Sequence, residues 1–370
     1  MKVLFLSLAM IVSHLLHAQK NTHDLFVGTY TDSGKSEGIY VYSFNDVTGE
    51  FSLKSKTGGI VNPSFLAFNA NTKKLYAVSE LSEGPGAVSS FSYKDGKLEM
   101  LHTLSSNGNA PCHIITDKAN DFVFVANYGG GSLSVYQTNK EGELKQVQHI
   151  QYKGSGPNKD RQNSSHVHSS TLSPDEKFLL VQDLGTDMIT VYPFSAEHPD
   201  EPLNINKAVS VKAPSGSGPR HVSFSNDGKY VYVATELNSA VQVYAFKKGN
   251  MMLIQELNML PGAVADPVGG ADIHLSSDGH FLYASNRGNA NEINIFKINS
   301  QTGKLRDEGR QSVKGIGPRN FSITKNGRFL LVANQNSDEI VIFDRDVKTG
   351  KLNDTGKRIA VGSPVCLILN

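Results

Sequence analysis

The stretch Gly216–Tyr244, GSGPRHVSFSNDGKYVYVATELNSAVQVY, decides the fold. A Gly/Ser/Pro turn leads into HVSF. Asn226-Asp227-Gly228 then leads into YVYV, and Asn238-Ser239 into VQVY. Alternating side chains suit strands with two different faces, and the short polar turns join them as antiparallel neighbours.

Variants of this unit recur along the chain. Aligned on it, the starts are Pro63, Pro111, Val167, Pro219, Gly270, Pro318 and Pro364, seven in all and 46 to 56 residues apart. Turns such as Asp95-Gly96, Glu141-Gly142, Thr302-Gly303 and Thr349-Gly350 lead into a fourth strand in most units. Four antiparallel strands at this spacing predict an all-β, seven-bladed β-propeller. The seventh unit stops after VCLILN at Asn370. Its missing strands are expected at Leu25–Tyr30, Gly38–Phe44 and Phe51–Lys56, so that the N-terminal strands complete the last blade. Closing the ring removes open sheet edges. No domain boundary and no helix signal appears, so residues 19–370 are expected to form one domain.

The 370 residues carry a formal net charge of +1 and no basic run interleaved with aromatics, which predicts neither nucleic-acid nor membrane-surface binding. The 34 glycines fit a chain of many tight turns, and the absence of Trp excludes a WD-type repeat. Lys2 followed by the apolar run Val3–Leu16 and a small residue at Ala18 describes a secretory signal peptide, residues 1–18, too short to span a bilayer. The mature protein is therefore expected to be exported, periplasmic or secreted, and free of the membrane. Cys112 and Cys366 could pair in such a compartment. However, they start the second and seventh units, with a blade between them, so two free thiols are expected.

Two insertions, Gly154–Ser165 and Pro261–Gly270, precede first strands and should wall one face of the disc. Ala196–Asn206 falls between third and fourth strands and reads as a surface loop.

First strands line the channel of a propeller, and second strands run back beside them. The start of one and the end of the other therefore share a face. In the register of Arg220 lie Ser64, Cys112, His168, Ala271, Arg319 and Val365. In the register of Glu236 lie Tyr30, Glu80, Tyr128, Leu184, Arg287 and Gln335, preceded by residues that include Asn127, Asp183 and Asn286. Polar channel ends are expected in any propeller. The clustering of His168, Arg220, Glu236 and Arg287 on the third, fourth and fifth units is more specific. An imidazole can take and return a proton near neutral pH. Guanidiniums can grip a carboxylate or phosphate and stabilise an oxyanion. A carboxylate can orient either partner or carry a second proton. His166, Asp183, Asn286, Arg319, Glu80 and Asn127 are the further candidates for contacting substrate. His166 and His168 have a spacing that suits metal ligands, yet with Asp183 nearby no third strong ligand is apparent, so a site without metal or cofactor is expected. There is no G-x-S-x-G elbow and no P-loop, and Gly129–Gly131 lies between two strands as a hairpin turn.

The segments HVHSSTLSPDEKFLLVQDLGTD, SGPRHVSFSNDGKYVYVATEL, DIHLSSDGHFLYASNR and GPRNFSITKNGRFLLVANQ resemble the seven-bladed propeller lactonases, and the resemblance covers essentially the whole mature chain. That group includes propeller-type 6-phosphogluconolactonases and 3-carboxymuconate lactonizing enzymes. In the lactonizing branch the site is a His, two Arg and a Glu, which match His168, Arg220, Arg287 and Glu236. The resemblance implies hydrolysis of a sugar-acid lactone, with a small anionic lactone or sugar acid as ligand; a monomer or weak oligomer is expected. Phosphogluconate chemistry belongs in the cytoplasm, so the signal peptide leaves the physiological lactone open. Two other readings are lactonization of a carboxymuconate-type dicarboxylate at the same cluster, and an exported propeller that binds a glycan or protein without catalysis.

Overall fold

The computed structural model describes residues 21–260, 262 and 268–370. The expected signal peptide and most of the Pro261–Gly270 insertion lie outside the described residues. Those that are described form seven four-stranded antiparallel sheets. Blade 4 is the opening stretch, with strands Pro219–Phe224, Tyr230–Thr235, Ala240–Lys247 and Asn250–Asn258. Blades 1, 2, 3, 5 and 6 begin at Leu66, Pro111, Val167, Val268 and Pro318. Blade 7 joins Pro364–Leu369 to Thr22–Thr29, Ile39–Asn45 and Phe51–Thr57. At that seam Phe26 pairs with Ile368 and Val27 with Leu367. Among the described residues no helix is long and apolar enough to cross a membrane.

Local chemistry sets each hairpin. In blade 4, Ser225 Oγ donates to Asp227 Oδ1 at 2.7 Å and accepts from Tyr230 N at 3.0 Å. Gly228 takes the positive φ of +70° that the turn requires. Ser173/Asp175, Ser276/Asp278 and Thr324/Asn326 repeat the device. The apolar faces then pack between neighbouring blades. Tyr232, Val241 and Val243 of blade 4, for example, meet Ile273, Leu282 and Phe296 of blade 5. Tyr232 also crosses the joint, donating from its hydroxyl to Gly303 O at 3.1 Å.

The Ala196–Asn206 segment is a surface loop, exposed except at Pro202 and Leu203. Leu203 is buried, and the Gln148 side chain clamps both its N–H and its C=O. Phe194 and Leu203 form an isolated bridge. Leu203, with Pro202 buried beside it, therefore anchors the loop. Cys112 and Cys366 are buried free thiols, as the register requires.

Candidate active site

The first strands start with a kink. Their pairing with the second strands shifts between Pro111 and His113, Val167 and Ser169, Pro219 and His221, Gly270 and Ile273, and Pro318 and Asn320. Such a bulge turns consecutive residues toward the same side. Each strand therefore turns two successive residues to the channel, as with His168-Ser169, Arg220-His221 and Arg319-Asn320, and two layers result.

The outer layer holds the expected cluster. Arg220 is 1% exposed, and its Nε donates to Glu236 Oε2 at 2.9 Å while Nη1 donates to Ala271 O at 2.7 Å. Arg287 Nη2 lies 3.0 Å from the same oxygen and also reaches Gly270 O at 3.3 Å. Gly270 is obligatory where blade 5 meets blade 4, because a Cβ there would fall 2.3 Å from Thr235 O. His168 is buried, with Nε2 4.0 Å from Glu236 Oε2 and Nδ1 3.9 Å from Cys112 Sγ. Its ring meets Tyr128 edge-on at 5.5 Å.

A residue that the strand register could not find completes the cluster. Arg161, on the Gly154–Ser165 insertion, donates through Nη2 to Glu236 Oε1 at 2.6 Å and to Tyr128 Oη at 3.3 Å. The only signal was the insertion itself, which was expected to wall this face. Burial alone would raise the Glu236 pKa. The Arg287, Arg220 and Arg161 guanidiniums overcome that and hold its carboxyl far below the usual range. Burial, and next the Arg220 charge, keep the His168 imidazole well below its ordinary value, so it is neutral at pH 7. Burial likewise pushes the Cys112 thiol up, so it stays protonated.

The other candidates fall into two groups. Glu80 and Arg319 lie on a separate stretch of the mouth. Glu80 accepts from Tyr30 Oη at 2.9 Å and from Ser64 Oγ, and the Arg319 guanidinium sits 5.5 Å from the Tyr30 ring centre. His166 stacks on Tyr128 at 4.5 Å and its Nδ1 lies 3.0 Å from Tyr128 O. Asp183, Asn286 and Asn127 are instead enclosed and spent on the framework. Asp183 accepts from Ser165 Oγ and His166 N, both at 2.7 Å, and from Gly185 N at 3.0 Å. Asn286 Oδ1 accepts from Gly269 N at 3.1 Å, and Asn127 Nδ2 donates to Ser106 O at 3.2 Å. Strand alternation explains this, since these residues directly precede the mouth positions and point to the opposite side.

The inner layer went unread in the sequence. Asp272 lies 2.7 Å from His221 Nδ1 and 2.8 Å from His274 Nε2, and it accepts from Asn320 Nδ2 at 2.6 Å. Asn320 in turn accepts from Leu367 N at 2.7 Å. His221 meets the rings of both His168 and His113 at 5.3 Å. Among the described residues no three His, Cys, Asp or Glu side chains are grouped so that they could hold a metal ion.

Known proteins share this architecture. The family model described as "Lactonase, 7-bladed beta-propeller" matches residues 24–369. A 6-phosphogluconolactonase of Formosa agariphila is 40% identical over 85% of this chain and 90% of its own. One of Bacillus subtilis is 33% identical over 92% of this chain and 97% of its own. Among solved structures, a putative 6-phosphogluconolactonase of Bacteroides fragilis aligns with a TM-score of 0.88 at 40% identity, over 95% of this chain and 98% of that one. A periplasmic gluconolactonase of Pseudomonas aeruginosa aligns at 0.88 and 35%, over 94% and 99% of the two chains. With a match that spans the ring from its first described strand to its last, the chain belongs to the seven-bladed β-propeller lactonase family.

Proposed function

We propose that the protein hydrolyses a sugar-acid lactone at the outer layer of the channel mouth. The observation that carries the reading is one neutral imidazole, His168, beside a carboxylate held ionised by three guanidiniums. The relatives named 6-phosphogluconolactonase support the same chemistry.

In this reading His168 takes a proton from water as the oxygen attacks the lactone carbonyl. The tetrahedral oxyanion forms within reach of Arg287, which is more open than Arg220. The ring C–O bond then breaks, and the proton on His168 passes to the leaving alkoxide. The product acid ionises and releases one proton to solvent. Glu236 is too acidic to carry a proton and instead orients the arginines. Arg220, almost wholly enclosed and committed to Glu236 and Ala271 O, acts from behind Glu236. The mouth then takes a small lactone or sugar acid as its partner. A periplasmic relative and the apolar N-terminal run support an exported working location.

The test is a lactone panel assayed by proton release, with spontaneous opening subtracted. His168→Ala is expected to lower turnover by about 10²-fold or more. Wild-type turnover in a folded His168→Ala protein would remove His168 from the mechanism.

A further inference from the structure

Glu236 carries one negative charge and faces three guanidiniums, so one cation would neutralise it. The three are not equivalent. The Arg220 and Arg287 side chains are 2% and 20% exposed, and each also donates to backbone carbonyls of blade 5. The Arg161 side chain is 45% exposed, and both of its hydrogen bonds leave from Nη2. Among the described residues its Nη1 and Nε have no partner, which leaves donors of the planar fork directed to solvent at the mouth.

The insertion does not need this guanidinium to hold its shape. Gln162 Nε2 donates to Leu184 O and Asp187 Oδ1, both at 2.8 Å, and Gly156 N donates to Gln162 O at 2.9 Å. Asn158 Oδ1 accepts from Asp160 N and Arg161 N at 3.2 Å, and Ser165 is tied to Asp183. The loop is thus fastened on both sides of Arg161 by other groups. A half-exposed arginine, surplus to its carboxylate and to its loop, is left as a site for an external anion.

We propose that Arg161 is a specificity-determining residue that binds an anionic substituent of the lactone, a phosphate or a carboxylate remote from the reacting carbonyl. It does so by turning free N–H donors onto that group while Arg220 and Arg287 keep Glu236 paired. This rests on the lactone-hydrolysis reading and assigns recognition of a charged lactone to one residue of the insertion. A guanidinium suits the task because its fork meets two oxygens of a phosphate or carboxylate at once.

The test uses the mature protein and three δ-lactones of one sugar acid: unsubstituted, bearing a 6-phosphate, and bearing a 6-carboxylate. The quantity read is the ratio of kcat/KM for each charged lactone to that for the uncharged one. Arg161→Gln is expected to lower this ratio about 10- to 100-fold, mainly through KM, and Arg161→Lys by less. Lys159→Gln removes an equal charge from the same exposed loop and should leave the ratio within about 2-fold. The phosphate and carboxylate arms identify which anion Arg161 receives. An equal loss on all three lactones in Arg161→Gln would mean that the residue only supports the site and would overturn the proposal, as would no change. Failure of the wild type to open any lactone would instead remove the hydrolysis reading. Calorimetry with the open acids then decides on Arg161 alone. The proposal stands if the wild type binds the 6-phosphorylated or 6-carboxylated acid more tightly than the plain acid and Arg161→Gln abolishes the difference. It falls if the wild type binds them equally or not at all.

Discussion

Glu236 and Asp272 are buried carboxylates on neighbouring blades, and each is surrounded by basic side chains. The bases differ. Glu236 faces three guanidiniums, whose charge is permanent across the working pH range. Asp272 faces two imidazoles and an amide. The outer layer therefore keeps its charge when pH changes, whereas the layer beneath it is held by imidazoles, whose charge depends on pH. A site that must attract an anion is served by the first arrangement, and the second supports it from below.

Breaking Glu236 should have the largest effect. Glu236→Gln leaves three guanidiniums around a neutral amide, and it is expected to cost about 3–5 kcal/mol of unfolding free energy in denaturant titrations near pH 7. An unfolding midpoint equal to the wild type's would mean that the arginines do not depend on that charge, and the contrast with Asp272 would collapse.

Acid should expose the inner layer. Burial, and next Arg220, push the His221 pKa down to about 4, against an ordinary value near 6.5. The unfolded chain therefore binds this proton first as pH falls. The stability held by neutral His221 is full above about pH 6.5 and is lost on the way down to about 4, to the extent of about 3 kcal/mol. His113 and His168 shift in the same direction, and the depressed Asp272 adds a further loss at lower pH. His221→Phe keeps a ring at the position and should flatten the dependence of stability on pH between 6.5 and 4. An unchanged slope would place the acid sensitivity elsewhere.

The smallest effect has the opposite sign. Partial burial alone would lower the pKa of His274, whose side chain is 42% exposed, but Asp272 outweighs it and raises the pKa. Its contribution is present below about pH 6.5 and disappears as pH rises through the raised value. Solvent screening limits it to less than about 1 kcal/mol. His274→Gln should thus destabilise the protein slightly at pH 5.5 and not at pH 8.5, as read by melting temperature across that range. Equal loss at both would mean that the His274 charge is not what stabilises Asp272.

The fold was legible because its determinants are local and repeated. The Ser225–Tyr230 turn recurs at Ser173, Ser276 and Thr324, and the alternation beside it marks where each strand begins and ends. That ruler also gave the outer cluster, since position in a blade fixes depth in the channel. The ruler failed in two places for physical reasons. Arg161 sits on an insertion with no period, and only the three-dimensional path of the loop brings it to Glu236. His221 and Asp272 each follow a residue already assigned to the mouth, and strict alternation sends the next residue away from it. The bulge between Pro219 and His221 suspends that alternation, so Arg220 and His221 both face the neighbouring first strand of blade 5. The same alternation, intact in the second strands, carries Asp183, Asn286 and Asn127 into the framework.

The seam of blade 7 also has a consequence in time. Its inner strand, Pro364–Leu369, pairs with Thr22–Thr29, and His23 Nδ1 lies 3.0 Å from Asn370 O. A ribosome delivers these two strands some 340 residues apart. Blades 1 to 6 can form in order of synthesis, each against its predecessor. The three strands of blade 7 made before them must wait, with one edge unpaired, until Pro364–Leu369 appears. The ring therefore cannot lock before Pro364–Leu369 has been made, and until then the exposed edge is that of the segment from Thr22 to Thr57.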